Sequence, residues 1–487
     1  MERITNEANF DWEQGFANYL NENKTLAYMM LNRTADFISQ PALRHKVDGE
    51  WVTVNWQTFR EQIRYIAKAL LELDLLTPGD RAGLFSANRA EWAIADLGIL
   101  AIRGISVPIY ATNSAEEAKH IVNDAGVKIL FVGDQIQYDK AKSIITNNPY
   151  LKKIIAFDRN ILIQDEDSIY LDELLEIGQK AKQDEELEKH LNQAKPDDVL
   201  TLIYTSGTTG APKGAVHTHR SFMGGIYPSR QRFPQAGPGY VSLAILPLSH
   251  VFERMWSYGC MSIGVEIAYC PDPKQFVEIM SEVKPQFMTS VPRIWEKVYA
   301  TIHDGLKTAS PIKAGLFKWA ERVAIDVYRD KRAGKKSSSF LMAQYALADK
   351  LIIQKVQETL GAENSDVYHV GGAAFSEEIN EFFLAFGINT IQGFGLTEFF
   401  PAAMGYDTNG YPGVCGPIIP MCEVRISEEG EIQLKGNMCM TGYYNNPEAT
   451  AECFTEDGWF KTQDIGEIIT EKLAGETFSY IAITDRI

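Results

Sequence analysis

Cysteine is scarce in this chain: six residues in 487 (Cys260, Cys270, Cys415, Cys422, Cys439 and Cys453), with no C-x-x-C pair among them. That excludes a small disulfide-stapled scaffold and leaves free thiols in a reducing cytoplasm as the expectation. Long apolar runs are missing as well. No segment approaches the roughly 18 consecutive apolar residues of a spanning helix, and the start, MERITNEANFDWEQ, lacks the basic cluster and apolar stretch of a secretory signal. The acceptor-like triplets Asn23-Lys24-Thr25 and Asn32-Arg33-Thr34 are then coincidence. Basic charge is in deficit: 47 Lys and Arg against 64 Asp and Glu give a formal net charge of −17. A general attraction to nucleic acid or anionic lipid is thereby excluded, so any phosphate-binding site must be local. What is present, 45% hydrophobic and 23% charged residues, is the composition of a soluble globular protein. A chain of this length outgrows one core, and two or more packed subdomains are expected.

From Arg81 the chain reads as strand, helix, strand: AGLF, a turn at SANR, an amphipathic stretch EWAIADLGILAI, then ISVPIY. That is a βαβ unit and implies parallel pairing. Ser114 and Glu117 form a capping-box pattern ahead of a helix that Gly126 can end, and KILFV follows as the next strand. The pattern resumes with FMTSV before Pro292, which suits a first helical turn, and with VYHV before GGAAF and the helix SEEINEFFLAF. Two α/β halves with mostly parallel sheets therefore extend to about residue 405. Beyond it, CEVRI, EIQLKG and SYIAIT read as a small antiparallel sheet or barrel to about residue 484. No fixed-period repeat is visible. Over residues 312–328 the spacing places Ile312, Leu316, Ala320, Val323 and Val327 on one helical face. Two readings stand for it: a surface helix packed on a sheet, or a helix at a membrane, which would make the protein peripheral there. The KRAGKKSSS stretch that follows is expected to be a mobile loop.

The most informative stretch is Leu202-Ile203-Tyr204-Thr205-Ser206-Gly207-Thr208-Thr209-Gly210-Ala211-Pro212-Lys213-Gly214, an apolar strand running into glycines, hydroxyls and one lysine. Glycines let backbone N–H groups turn inward around oxyanions, hydroxyls add donors, and lysine adds positive charge. A polyphosphate fits these needs. The pattern is not that of Walker A, because only two residues separate Gly207 from Gly210 and Lys213 is followed by glycine. Nor does it open into a helix, since AVHTH looks extended. His217 and His219 lie two apart on that segment with no third ligand in view, and are read as structural.

YTSGTTGAPKG resembles the signature of the adenylate-forming superfamily, which includes acyl-CoA synthetases, luciferases and nonribosomal peptide adenylation domains. LPLSH, GGAAF, QGFGLTE, TGYYNNPEAT and DGWFKTQD follow in that family's order. The resemblance implies an acyl-CoA synthetase-like N-terminal domain: two α/β subdomains plus a small distorted antiparallel β-barrel, over residues 1–484. It implies that ATP is held by Thr205, Ser206, Gly207, Thr208, Thr209, Gly210 and Lys213. Gly371, Gly372 and Ala373 would lie on one side of adenine and Phe394, within Gln392, Gly393, Phe394, Gly395 and Thr397, on the other. Glu398 would hold Mg²⁺, for which one carboxylate plus phosphate oxygens suffices. Asp464 would accept from the ribose hydroxyls, although Gln463 stands where the family has glycine, which puts that turn in doubt. Arg486 would contact the ribose at the start of a hinge over residues 485–487. His250 would lie between phosphate and acyl carboxylate, so that Thr205, Lys213, His250 and Glu398 carry the chemistry.

The implied reaction joins a fatty acid to AMP with release of pyrophosphate, then passes the acyl group to CoA. The stretches AEWAIADLGILAI, ISVPIYATNS, LPLSHVFER and SVPRIWEKVY look like the long-chain branch. An acyl tunnel is expected by Val251, Phe252, Trp256, Tyr258, Gly259 and Val291. The resemblance also places the family's lysine-bearing C-terminal domain beyond Ile487, so the sequence is expected to be an excised part of a longer chain, with the transfer to CoA dependent on that domain and this chain alone impaired. Two other readings stand: adenylation of another acid or transfer to a carrier protein, and a natural non-catalytic fragment that binds nucleotide or lipid.

Overall fold

A computed structural model of the chain describes residues 10–205, 211–406, 411–473 and 476–486. Three larger sheets and a two-stranded antiparallel ribbon, Phe394–Leu396 with Phe399–Ala403, organise them. In the first, Arg81–Phe85 pairs in parallel with Ile105–Ile109 on one side and Val127–Val132 on the other. Val127–Val132 leads outward to Lys153–Ala156 and Ser168–Tyr170, and Ile105–Ile109 pairs with Val199–Thr205. The expected βαβ unit is therefore present, its helix Ala90–Ala101 buried nearly all round between sheets. The helix Ala115–Ala125 carries both halves of the Ser114/Glu117 capping box and stops at Gly126 in the left-handed conformation. The stretch after the glycine-rich segment is a strand, Lys213–Thr218, antiparallel to Val199–Thr205.

The second sheet runs in parallel through Thr390–Gln392, Val367–Val370, Phe287–Ser290, Val241–Ala244 and Glu266–Tyr269. Pro292 opens the helix Pro292–Thr308, as expected. Two N-terminal strands, Pro41–Val47 and Glu50–Asn55, complete this sheet rather than the first. The halves are thus interleaved in sequence: Gly442–Tyr443 likewise returns to the edge of the first sheet beside Lys213–Thr218. The third sheet contains Cys415–Pro417, Glu476–Arg486, Phe460–Leu473, Glu431–Gly436 and Cys422–Ile426, all antiparallel.

Arg254 joins the two halves. It lies on the helix Val251–Met261 of the second half, wholly buried against Asp96, with Nη2–Oδ1 and Nε–Oδ2 separations of 2.7 and 2.9 Å. Its remaining donors reach Thr201 Oγ1 and Ser106 Oγ, both in the first sheet, and Tyr258 Oη donates to Asp96. A buried ion pair tolerates its desolvation only when its hydrogen bonds are satisfied in this way.

The helix over 312–328 runs Pro311–Arg332 and buries Phe317, Ala320, Val323 and Ala324. Ile312 and Leu316, expected on the buried face, are 83% and 36% exposed. The face is rotated because Phe317 stacks on Phe382 and Phe386, at centroid distances of 6.5 and 5.8 Å, and the neighbours are helices rather than a sheet. The KRAGKKSSS stretch takes in the helix end at Lys331 and Arg332, then a turn and a short connection folded back on Asp330, which accepts from Lys335 N and Ser337 Oγ. Among the described residues no helix is long and apolar enough to cross a membrane.

Candidate active site

A cleft of about 1000 Å³ opens where the C-terminal ends of both parallel sheets meet the third sheet. Ligands of open α/β sheets bind at such ends. Thr205, the last residue of its strand, and Lys213, the first of the next, pair directly across the hairpin and both line the cleft. Ser206, Gly207, Thr208, Thr209 and Gly210 lie outside the described residues. Tyr443, one strand over, points its hydroxyl at Glu398 Oε1, 2.6 Å away, while its ring centroid sits 5.4 Å from Lys213 Nζ. The lysine and the glutamate therefore face one tyrosine.

Glu398 stands in the turn between Phe394–Leu396 and Phe399–Ala403. Its carbonyl accepts from Met440 N at 2.7 Å, and the carbonyl of Thr397 accepts from His217 Nε2, also at 2.7 Å. Burial lowers the His217 pKa to about 4, so the ring is neutral and fixes the backbone rather than supplying charge. His219 accepts from Leu26 N. Among the described residues no cluster of three or more metal-ligating side chains occurs.

His250 caps the helix Val251–Met261: its Nδ1 accepts from Phe252 N at 3.1 Å, which leaves any ring proton on Nε2. Burial depresses its pKa, so it is neutral at pH 7. Gly371 follows the strand Val367–Val370, and a Cβ there would come within 2.9 Å of the Phe252 ring. The small residues Gly371, Gly372 and Ala373 thus leave room on one side of the cleft, with Gln392, Gly393, Phe394, Gly395 and Thr397 on another.

Asp464 and Arg486 pair across the antiparallel ladder of the third sheet, with Oδ1 3.7 Å from Nε, and both line the cleft. Burial raises the Asp464 pKa, and Arg486 works against that rise. Gln463 adopts φ +62°, the left-handed conformation that favours glycine. In that conformation Gln463 N is bonded to Glu431 Oε1 and Asp464 N to Thr462 Oγ1.

The expected tunnel residues part company. Val251 and Phe252 line the cleft, Val291 lies beside Gly372, and Trp256 and Gly259 line a separate small apolar cavity with Phe233 and Met255. Trp256 meets His369 of the cleft wall edge-on at 4.7 Å. Tyr258 lines neither cavity, because it stands one helical turn from Arg254 and follows it to Asp96.

Several cleft residues were not singled out from the sequence. Tyr443 is one, although it lies within the quoted TGYYNNPEAT; His120, Asp124 and His369 are others. The side chains of Lys213 and Arg486 are outnumbered by the carboxylates of Asp124, Glu398, Glu452, Asp464 and Asp485. A polyphosphate entering this acidic cleft needs an accompanying cation. Glu398 suits one, because Tyr443 engages only Oε1 and magnesium takes one or two carboxylates plus phosphate oxygens.

The family model described as AMP-binding enzyme matches residues 32–444. The long-chain-fatty-acid–CoA ligase FadD15 of Mycobacterium bovis is 32% identical over 449 residues, covering 92% of this chain and 73% of that protein. The rat long-chain-fatty-acid–CoA ligase ACSBG2 is 28% identical over 469 residues, covering 93% and 68%. The inhibitor-bound N-terminal domain of FACL13 from Mycobacterium tuberculosis superposes with a TM-score of 0.67 at 22% identity, over 95% of this chain and all of that one. ATP-bound MatB from Rhodopseudomonas palustris gives 0.68 at 20%, over 95% and 79%.

Proposed function

The chain belongs to the AMP-binding enzyme family, and on that premise we propose that it activates a long-chain fatty acid with ATP and passes the acyl group to CoA. The observation that carries the residue assignment is the convergence on one cleft of Thr205 and Lys213 from the first sheet, His250 from a helix cap, Phe394 and Glu398 from the two-stranded ribbon, and Asp464 and Arg486 from the third sheet. Adenine lies between Phe394 and the Gly371–Ala373 backbone, where the absence of large side chains leaves room for a flat ring. The ribose hydroxyls donate to Asp464, whose pKa burial raises while Arg486 opposes the rise.

Lys213 offsets charge on the phosphates, the Thr205 hydroxyl donates a hydrogen bond to them, and Glu398 would hold the Mg²⁺ that accompanies them. When bound, that ion supplies a Lewis acid on the phosphate oxygens. A carboxylate oxygen of the fatty acid forms a bond to the α-phosphorus as the bond to the bridging oxygen breaks, and pyrophosphate leaves with that electron pair. The neutral His250 donates from Nε2 to the attacking carboxylate and aligns it. No protein nucleophile is needed. The site gains its rate by holding two anions together and cancelling charge on phosphate. In the second step the CoA thiol gives up its proton to solvent and its sulfur bonds to the acyl carbon, as the bond from that carbon to the phosphate oxygen breaks and AMP departs with the electron pair. The acyl chain leaves the carboxylate along Val251 and Phe252, toward Val291 and the cavity behind Trp256 and Gly259.

ATP–pyrophosphate exchange tests this reading. Exchange that requires palmitate and Mg²⁺ supports it. Exchange supported only by a short, aromatic or amino acid overturns the long-chain assignment, and none with any acid overturns adenylation by this chain.

A further inference from the structure

The helix Ala115–Ala125 connects strands of the first sheet, yet two of its side chains, His120 and Asp124, line the cleft. Four residues apart, they lie one above the other on a single helical face. Asp124 Oδ2 accepts a 2.6 Å hydrogen bond from Tyr204 Oη, and Tyr204 immediately precedes Thr205. His120 Nε2 stands 3.1 Å from the carbonyl oxygen of Pro212, which immediately precedes Lys213. A carbonyl only accepts, so the ring carries its proton on Nε2 and donates it. One helix face thus holds both stems of the glycine-rich segment.

The neighbouring backbone is shaped for this. Tyr204 pairs across the hairpin with Gly214, where a Cβ would come within 3.0 Å of the tyrosine ring. Glycine there lets the ring cross the hairpin to Asp124. The helix is a stiff support: its N-terminus has a complete capping box, its C-terminus ends in a left-handed glycine, and Ala118, Ile121, Val122 and Ala125 are buried.

We propose that His120 and Asp124 are positioning residues for MgATP, which hold Pro212 and Tyr204 so that the adjacent Lys213 and Thr205 meet the polyphosphate in a fixed arrangement. Neither touches the reacting atoms. Holding the stems in place before nucleotide arrives lowers the ordering entropy that binding must overcome. The proposal rests on the adenylation reading of the cleft.

The test measures the Kd of MgATP by calorimetry for the wild-type chain and for H120A, H120Q and Y204F, with a thermal melt of each. Glutamine places an amide Nε2 where the imidazole has its own. H120A and Y204F are expected to weaken MgATP binding about two- to tenfold each, the worth of one hydrogen bond, while H120Q stays at the wild-type value. H120A that binds like wild type overturns the proposal, as does H120Q that is impaired as much as H120A. A lowered melting temperature with unchanged Kd in H120A and Y204F assigns the pair a structural role only, and likewise overturns it. If the wild-type chain binds no MgATP, the adenylation reading fails and this proposal with it; if wild type binds and H120A matches it, this proposal alone fails.

Discussion

Tyr443 donates a 2.6 Å hydrogen bond to Glu398 Oε1 while its ring faces Lys213. Burial and the nearby Glu398 charge raise the Tyr443 pKa far above neutrality, so the phenol keeps its proton and Glu398 stays an acceptor on that side. Glu398→Gln removes the charge that holds the cation, and several kcal/mol of phosphate stabilisation corresponds to a loss of about a hundredfold or more in pyrophosphate exchange. Tyr443→Phe removes one hydrogen bond and costs about two- to tenfold, read as a raised Mg²⁺ requirement. A Glu398→Gln chain with full exchange at low Mg²⁺ would contradict the metal assignment.

The Arg254–Asp96 pair predicts an asymmetric pattern of stability. Arg254→Met leaves Asp96 charged and buried, a loss of about 3–5 kcal/mol. Replacing both, Arg254→Met with Asp96→Leu, recovers much of that. Urea unfolding of the single and double variants measures it, and additive losses would show that the pair is not coupled.

Glu253 gives a pH dependence. It is fully buried, accepts from Thr289 Oγ1, Ser257 Oγ and Leu246 N, and burial raises its pKa from 4.5 to about 7. Between those two values the unfolded chain releases a proton that the folded chain keeps. Stability from this group is therefore complete below pH 4.5 and is lost as pH rises through about 7. The full effect is on the order of 3 kcal/mol. Glu253→Gln removes this dependence, so the variant gains on wild type between pH 5 and 8, as urea midpoints across that range would reveal. Parallel wild-type and variant curves would contradict it.

Gln463 holds a left-handed conformation that glycine adopts without strain. Gln463→Gly is expected to stabilise the fold by up to about 1 kcal/mol, with MgATP affinity unchanged because Asp464 keeps its turn. Gln463→Val should lose stability. Thermal unfolding of the two variants decides it, and a destabilised glycine variant would mean that the Gln463 side chain matters more than its backbone.

The parts legible in the sequence were those fixed by local chemistry. The unit from Arg81 to Ile109 follows from periodicity, the helix after Ser114 from its cap, and the extended stretches on either side of the glycines from their residues, although not their pairing as a hairpin. Pairings between distant segments left no local trace. Nothing in Pro41–Val47 says that it joins Glu266–Tyr269, nor in Gly442–Tyr443 that it lies beside Val216 and Ala215. The face of Pro311–Arg332 was misjudged because Phe382 and Phe386, over fifty residues away, select it. Tyr258 was drawn toward the acyl path by its apolar ring, whereas its position one turn from Arg254 sends its hydroxyl to Asp96. Tyr443 stood in a recognised stretch, but only the fold brings it to Glu398.

The most direct test of a cleft that joins a nucleotide site to an apolar acyl path is calorimetric titration, with Mg²⁺ present, by non-hydrolysable acyl-adenylate analogues carrying acetyl, octanoyl and palmitoyl groups. Each buried methylene adds up to about 0.8 kcal/mol, so affinity is predicted to rise steeply from acetyl to palmitoyl. Palmitoyl binding no tighter than acetyl would contradict the long-chain site, and no binding of any analogue would contradict the adenylate cleft itself.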